Sequence, residues 1–179
     1  MASAFSHPAV PLAIAAAAGR GAVPPRLALA ACAASILPDV DALGYWAGVP
    51  YDAPLGHRGF THSLVFAGLL AACGAAFARR LGASRGTAFG VLLLSGASHG
   101  LLDALTTGGM GVAFFSPFSN ERYFLPWRLI QVSPIGVGRF FSERGVRILR
   151  SELTWIWLPC AVIAVAGIGL RRILLEDRP

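Results

Sequence analysis

Four histidines and three aspartates carry the chemistry this sequence offers: His7, His57, His62 and His99, with Asp39, Asp41 and Asp103. His99 and Asp103 are spaced i, i+4 and so project from one face of a helix. In Pro38-Asp39-Val40-Asp41, an extended chain after the proline would point both carboxylates the same way. His57 and His62 are five apart, which suits no single helix face. A loop ligand followed by a helix-start ligand does suit it, with Gly59 letting the backbone turn between them. Neutral imidazoles and carboxylates without thiolates form a ligand set for Zn²⁺, Mn²⁺ or Fe²⁺. Seven ligands exceed what one tetrahedral ion takes, so the pattern implies two or three ions sharing carboxylates, as in two-metal hydrolysis.

The elements that must gather these residues are apolar. Of 179 residues, 55% are hydrophobic and only 13% charged, against about 25% charged in soluble domains. The chain has too few charges to cover a soluble globule, and it carries 21 Gly and 12 Pro, which excludes a coiled coil. The reading is an integral membrane protein of one all-α domain spanning residues 1–179. It would be a membrane-embedded bundle of two helical hairpins plus a C-terminal transmembrane helix, with the hairpins and their loops in residues 5–128. Apolar runs at 8–19 and 27–37 flank a breaker cluster at 19–26, each shorter than the roughly 20 residues of a spanning helix. Thr61 is placed to cap a helix running to about Ala78, and a partner helix runs from about Thr87 to Leu105. Residues 139–152 read as an interfacial amphipathic segment. Residues 153–172 read as the C-terminal transmembrane helix, with Trp155 and Trp157 as its interfacial belt.

Residues equidistant from a hairpin turn share an axial height, because both helices rise about 1.5 Å per residue. With turns near residues 22 and 82, His7 levels with Asp39 and Asp41, and His62 levels with His99 and Asp103. His57 lies in the loop between the two sets. All four histidines therefore fall at one end of the bundle. All 15 basic residues are arginines, grouped mostly between apolar runs. That is membrane-flanking charge rather than a phosphate-tracking stripe, so the pI of 10.2 does not call for a nucleic-acid partner. Cys32, Cys73 and Cys160 lie singly in apolar runs and read as small packing residues.

Four motifs, Leu37-Pro38-Asp39-Val40-Asp41, His57-Arg58-Gly59-Phe60-Thr61-His62-Ser63, Ser98-His99-Gly100-Leu101-Leu102-Asp103 and Ser116-Pro117-Phe118-Ser119, together with the early His7, resemble the YdjM-like family of inner-membrane, metal-dependent hydrolases. They cover about residues 5–125 in the family's order. The family is in turn distantly similar to zinc-dependent phospholipase C and single-strand-specific nucleases, helical enzymes that cluster zinc to cleave phosphate esters. The resemblance implies metal hydrolysis without choosing a substrate.

The expected function is a hydrolase of a phosphate ester, small or lipid, in which bound metal, foremost zinc, activates water. Asp39, Asp41 or Asp103 would bridge metals or act as general base, and Arg58 and Arg122 would clamp a phosphate. The alternative is a non-enzymatic metal-binding sensor or transporter. Eight arginines lie near helix ends opposite the histidines and seven on their side. The positive-inside rule then puts the site at the extracytoplasmic face of a bacterial inner membrane.

Overall fold

The computed structural model describes residues 1–134 and 142–176. Arg139, in the expected amphipathic segment, and Arg178 lie outside the described residues. The described chain is helical, with two isolated bridges, Thr106 to Ile130 and Val112 to Tyr123, as its only β-type pairing.

Helix α1 (Ala9–Ala18) stops at Gly19, whose φ of +78° suits a residue without Cβ. Helix α2 (Pro25–Ile36) starts on a proline at its first turn, where the missing N–H costs nothing. The Asp39-Val40-Asp41 stretch is not extended as the sequence suggested. It is a 3₁₀ turn, Leu37–Asp41, and the helical path continues into α3 (Ala42–Trp46). Pro38 sits in the first turn of that segment, where it breaks no hydrogen bond. Together these pieces make a stretch from Pro25 to Trp46, 22 residues long, apolar and long enough to cross a bilayer. The run at 27–37 alone looked too short.

Helix α4 (Leu64–Ala76) begins later than expected. Its cap is Ser63, whose Oγ accepts from Phe66 N at 3.1 Å, because Thr61 turns its hydroxyl to Asp41 instead. After α5 (Ala78–Leu81) and a left-handed Gly82, Ser84 caps α6 (Arg85–Ala104). Helices α4 and α6 pack as a hairpin on α2 through small residues, among them Ala31, Ala71 and Ala88, with Gly96 against Ala67. Such small faces let backbones approach closely.

Helix α7 (Glu143–Glu152) runs through a π-turn at Leu153–Trp157 into α8 (Leu158–Glu176). Residues 143–174 form the second stretch long and apolar enough to span. Helix α8 packs on α1 and holds its end, since Arg171 donates to the Ala16 and Ala17 carbonyls. Its other faces present Val162, Ile163, Val165 and Leu170, each more than half exposed. A second apolar cluster of Ala2, Ala9, Leu102, Ile130 and Ile156 joins the start of the chain, the end of α6 and the π-turn.

Candidate metal centre

Five pieces of chain deliver the cluster. His7 precedes α1, Asp39 and Asp41 lie in the 3₁₀ turn after α2, and His57 stands in the loop before α4. His62 ends the 3₁₀ turn Phe60–His62, and His99 and Asp103 face inward from the last turns of α6. The loop holding His57 is tight. Arg58 has φ +66°, and a Cβ on Gly59 would strike the Pro54 carbonyl.

Three histidines are oriented from behind. His99 Nδ1 lies 2.8 Å from the Ser35 carbonyl, an acceptor only, so that nitrogen carries the proton and Nε2 is the free lone pair. His57 Nδ1 is 2.6 Å from Asp41 Oδ1, and His62 Nδ1 is 3.1 Å from Asp41 Oδ2. Asp41 Oδ2 also accepts from Arg58 N and the Thr61 hydroxyl. Thr61 Oγ1 lies beside both Asp41 Oδ2 and His62 Nδ1, 3.1 Å from the latter. Asp41 thus lies behind two imidazoles, and the two groups of close ligand atoms do not include it.

The atoms turned forward meet one another. His62 Nε2 lies 2.9 Å from His99 Nε2, 3.7 Å from Asp39 Oδ1 and 3.5 Å from Asp103 Oδ2, while His99 Nε2 is 3.5 Å from Asp39 Oδ1. On the other side, His7 Nε2 faces Asp39 Oδ2 at 3.9 Å and Asp103 Oδ1 at 3.8 Å. Two sets of ligand atoms lie within 4.8 Å of one another: Asp39, His57, His62 and Asp103, and His7, His99 and Asp103. Metal–ligand bonds of about 2.0–2.1 Å imply tetrahedral edges of roughly 3.3–3.4 Å, and these separations bracket that value.

Among the buried polar atoms without a hydrogen-bond partner are both nitrogens of His7, both oxygens of Asp39, Nε2 of His57 and Oδ2 of Asp103. Buried polar groups are normally paired. Arg58 Nε, which faces Asp103 Oδ2, is unpartnered in the same sense. With one ligand atom from each residue, these imidazoles and carboxylates could hold a divalent metal. Charge agrees: three carboxylates face one guanidinium, an excess that one divalent cation balances.

Burial, and then the neighbouring His99, lower the His7 pKa to about 3, so its imidazole is neutral. For His62 burial opposes the charge, but bonds to Asp103, Asp39 and Asp41 outweigh it and raise the pKa to about 10. In the metal-free cluster His62 is therefore an imidazolium, and its Nε2 proton fills the gap to His99.

The two arginines expected to clamp phosphate are engaged elsewhere. Arg58 is fully buried, with Nε 3.1 Å from Asp103 Oδ2 and its terminal nitrogens on Thr106 Oγ1 and the Gly108 carbonyl. Arg122 donates to the carbonyls of His57, Tyr51 and Ala53, which pins the His57 loop. Sequence spacing gave no sign of the Ser35 carbonyl or the Thr61 hydroxyl. Both act through local turns whose geometry only the folded chain reveals.

The model of the YdjM inner membrane protein family matches residues 1–174. The chain belongs to the YdjM inner membrane protein family. It is also 43% identical over 162 residues to the inner membrane protein YbcI of Escherichia coli (strain K12), covering 89% of this chain and 92% of that one. No solved structure matches. The YdjM family match spans every element that contributes to the cluster, from His7 through Asp103, as well as the C-terminal helix. An inner-membrane family agrees with the two stretches long enough to cross a bilayer.

Proposed function

We propose that the protein is a membrane-embedded helical bundle that works as a metal-dependent hydrolase of phosphate esters, lipid-type substrates foremost, with zinc as its metal. The observation that carries this reading is the convergence of buried, unpartnered imidazole and carboxylate atoms on one centre. In a purely structural cluster only Arg58 and a protonated His62 would face the three buried carboxylates, and burying charge costs on the order of several kcal/mol per ion. Ionisable groups among apolar helices are functional by default.

A divalent ion held there supplies a Lewis acid for the phosphoryl oxygen and water acidified to near neutrality. The protein's own residues do the rest. Asp41 and the Ser35 carbonyl fix the ring orientation of His57, His62 and His99 before substrate arrives, which is the usual work of groups behind metal ligands. Asp103 turns one oxygen toward His62 and the other toward His7, and Asp39 does the same. The Asp39 side chain is the most exposed of the cluster at 8%, so it marks the edge where a water would enter. One divalent cation balances the cluster's charge. A second makes the site positive, and an anionic substrate suits that.

The closure of the site favours one other reading, a non-enzymatic metal-binding sensor or transporter: the four imidazoles are at most 4% exposed. One set of measurements separates the two. Protein purified in detergent without chelator, and then reloaded, is analysed for metal and assayed on phospholipid and on a soluble phosphodiester. Hydrolysis should accompany metal in wild type, and both should vanish in His62→Ala, His99→Ala and Asp103→Ala. Metal without hydrolysis favours the sensor or transporter. Only trace metal in wild type removes the foundation of both.

A further inference from the structure

Glu152 is a carboxylate at the end of α7, where the apolar part of the α7–α8 rod begins, only 1% exposed, and no catalytic role uses it. Its acceptors are occupied from one direction. It takes the Ser3 N–H, the Ser3 hydroxyl at 2.6 Å and the Ser6 hydroxyl at 2.8 Å. Ser6 Oγ also accepts from Trp157 Nε1 at 3.1 Å, and Ser6 N closes a turn on the Ser3 carbonyl at 2.9 Å. The short segment before α1 is therefore held to the α7–α8 rod at residues 3 and 6. At residue 2 its N–H reaches Asp103 Oδ1 at 2.7 Å. The next residue after Ser6 is His7.

His7 is where this matters. His57, His62 and His99 each have Nδ1 held by an oxygen acceptor, whereas neither ring nitrogen of His7 has a hydrogen-bond partner. Its ring stacks on His99, with centroids 3.7 Å apart, and faces Asp39 and Asp103 only at 3.8–3.9 Å. Nothing in the ring's own contacts fixes its position along the cluster, so the backbone must. On the side before His7 that backbone is held by Glu152 at residues 3 and 6 and by Asp103 at residue 2, and after it by the first turn of α1. The π-turn begins one residue later, at Leu153, and such turns often mark functional positions in helices.

We infer that Glu152 is a positioning residue for the metal centre, acting from the C-terminal rod through Ser3 and Ser6 to set the place of His7. The inference rests on the metal reading above. It differs from a plain tether between helices in one respect: the effect of Glu152 on metal must pass through His7.

That difference is measurable on the full chain in detergent. Zn²⁺ affinity is determined by competition, and the visible spectrum of the Co²⁺-loaded protein reports coordination. Glu152→Gln keeps the size but turns one acceptor into a donor. It should weaken Zn²⁺ binding about tenfold, the scale of groups behind metal ligands, and shift the Co²⁺ spectrum the same way as His7→Ala. The double variant should be no worse than His7→Ala alone. Ser6→Ala, a smaller change, should show the same pattern and carries the test if Glu152→Gln does not fold. The exposed Glu143→Gln serves as a control that binds as wild type. Unchanged affinity in Glu152→Gln and Ser6→Ala overturns the inference, and so do losses that add to that of His7→Ala, as independent sites would. Absence of Zn²⁺ and Co²⁺ binding in wild type overturns the metal reading itself, and this inference falls with it.

Discussion

Asp39 and Asp41 stand two residues apart and enter the same cluster, but their surroundings give them different work. Asp39 has no hydrogen-bond partner on either oxygen, while Asp41 receives the Arg58 N–H, the Thr61 hydroxyl and two imidazole nitrogens. Removing a ligand and removing the group behind ligands have different costs, so Asp41→Asn should lower metal affinity about 10–100-fold. Asp103→Asn should abolish binding. Equilibrium competition with a zinc chelator on both variants checks the order, and equal losses would return Asp41 to the ligand set. Protons enter the same balance. The His62 pKa is raised to about 10, so at neutral pH the metal-free protein carries a proton on the nitrogen that must face the ion. Metal uptake should therefore release a proton, and apparent affinity should rise with pH up to about 10 rather than level off near the ordinary histidine value. Proton release on adding Zn²⁺ in weak buffer measures this. No release at pH 7 would mean His62 is already neutral.

At the scale of elements, the cluster depends on how closely α6 and the turn before α4 approach. Gly100 lies between His99 and Asp103, and a Cβ there would come 2.8 Å from the His62 carbonyl and 3.2 Å from the Phe114 ring. Gly100→Ala should push His62 out of register and lower metal binding. Gly90→Ala, with open space beside it, should be neutral or stabilise by about 0.5–1 kcal/mol. Ser63→Ala removes the cap of α4 and should cost about 1 kcal/mol in thermal unfolding in detergent. Thr61→Ala should leave that helix intact, and a larger loss there than in Ser63→Ala would restore Thr61 as the cap. This exchange of roles marks how much the sequence could say. Hairpin register placed His62 beside His99 and Asp103 because turn position and helical rise are local quantities. The same reasoning misplaced the cap, since Thr61 and Ser63 are both good caps and the choice depends on Asp41, 20 residues away. The 3₁₀ turn at Asp39–Asp41 escaped notice for a related reason. A proline can open a helical turn as readily as an extended segment, and the continuation into α3 decides between them. Glu152 was hidden because an acid in an Arg-rich amphipathic segment reads as solvated, and its partners are about 150 residues away.

At the scale of the whole molecule, two ends of unlike character face apart. One holds the histidines and the loops over them. The other gathers the turns of arginines: Arg26 reaches the Arg80 carbonyl, and Arg171 holds the end of α1. If the bundle lies in a bilayer, these arginine turns are the ends that the positive-inside rule keeps in the cytoplasm. The opposing charge is less decisive than its number suggests. Arg58 is buried on Asp103 and meets no headgroup as a free cation, while Arg122, like Arg26 and Arg171 at the other end, donates to carbonyls. Arg144, Arg147 and Arg150 lie on α7, an amphipathic helix able to place them along the interface. We propose on this ground that the cluster lies at the extracytoplasmic face. Asp52 and Ser84 are both exposed, one in the loop before His57 and the other at the arginine end. In a background with Cys32, Cys73 and Cys160 replaced by alanine, a cysteine at position 52 should react with an impermeant maleimide in intact cells, and one at position 84 only after lysis. The reverse pattern would turn the bundle over, place the cluster at the cytoplasmic face, and restrict any substrate to molecules reaching it from the cytoplasm or the inner leaflet.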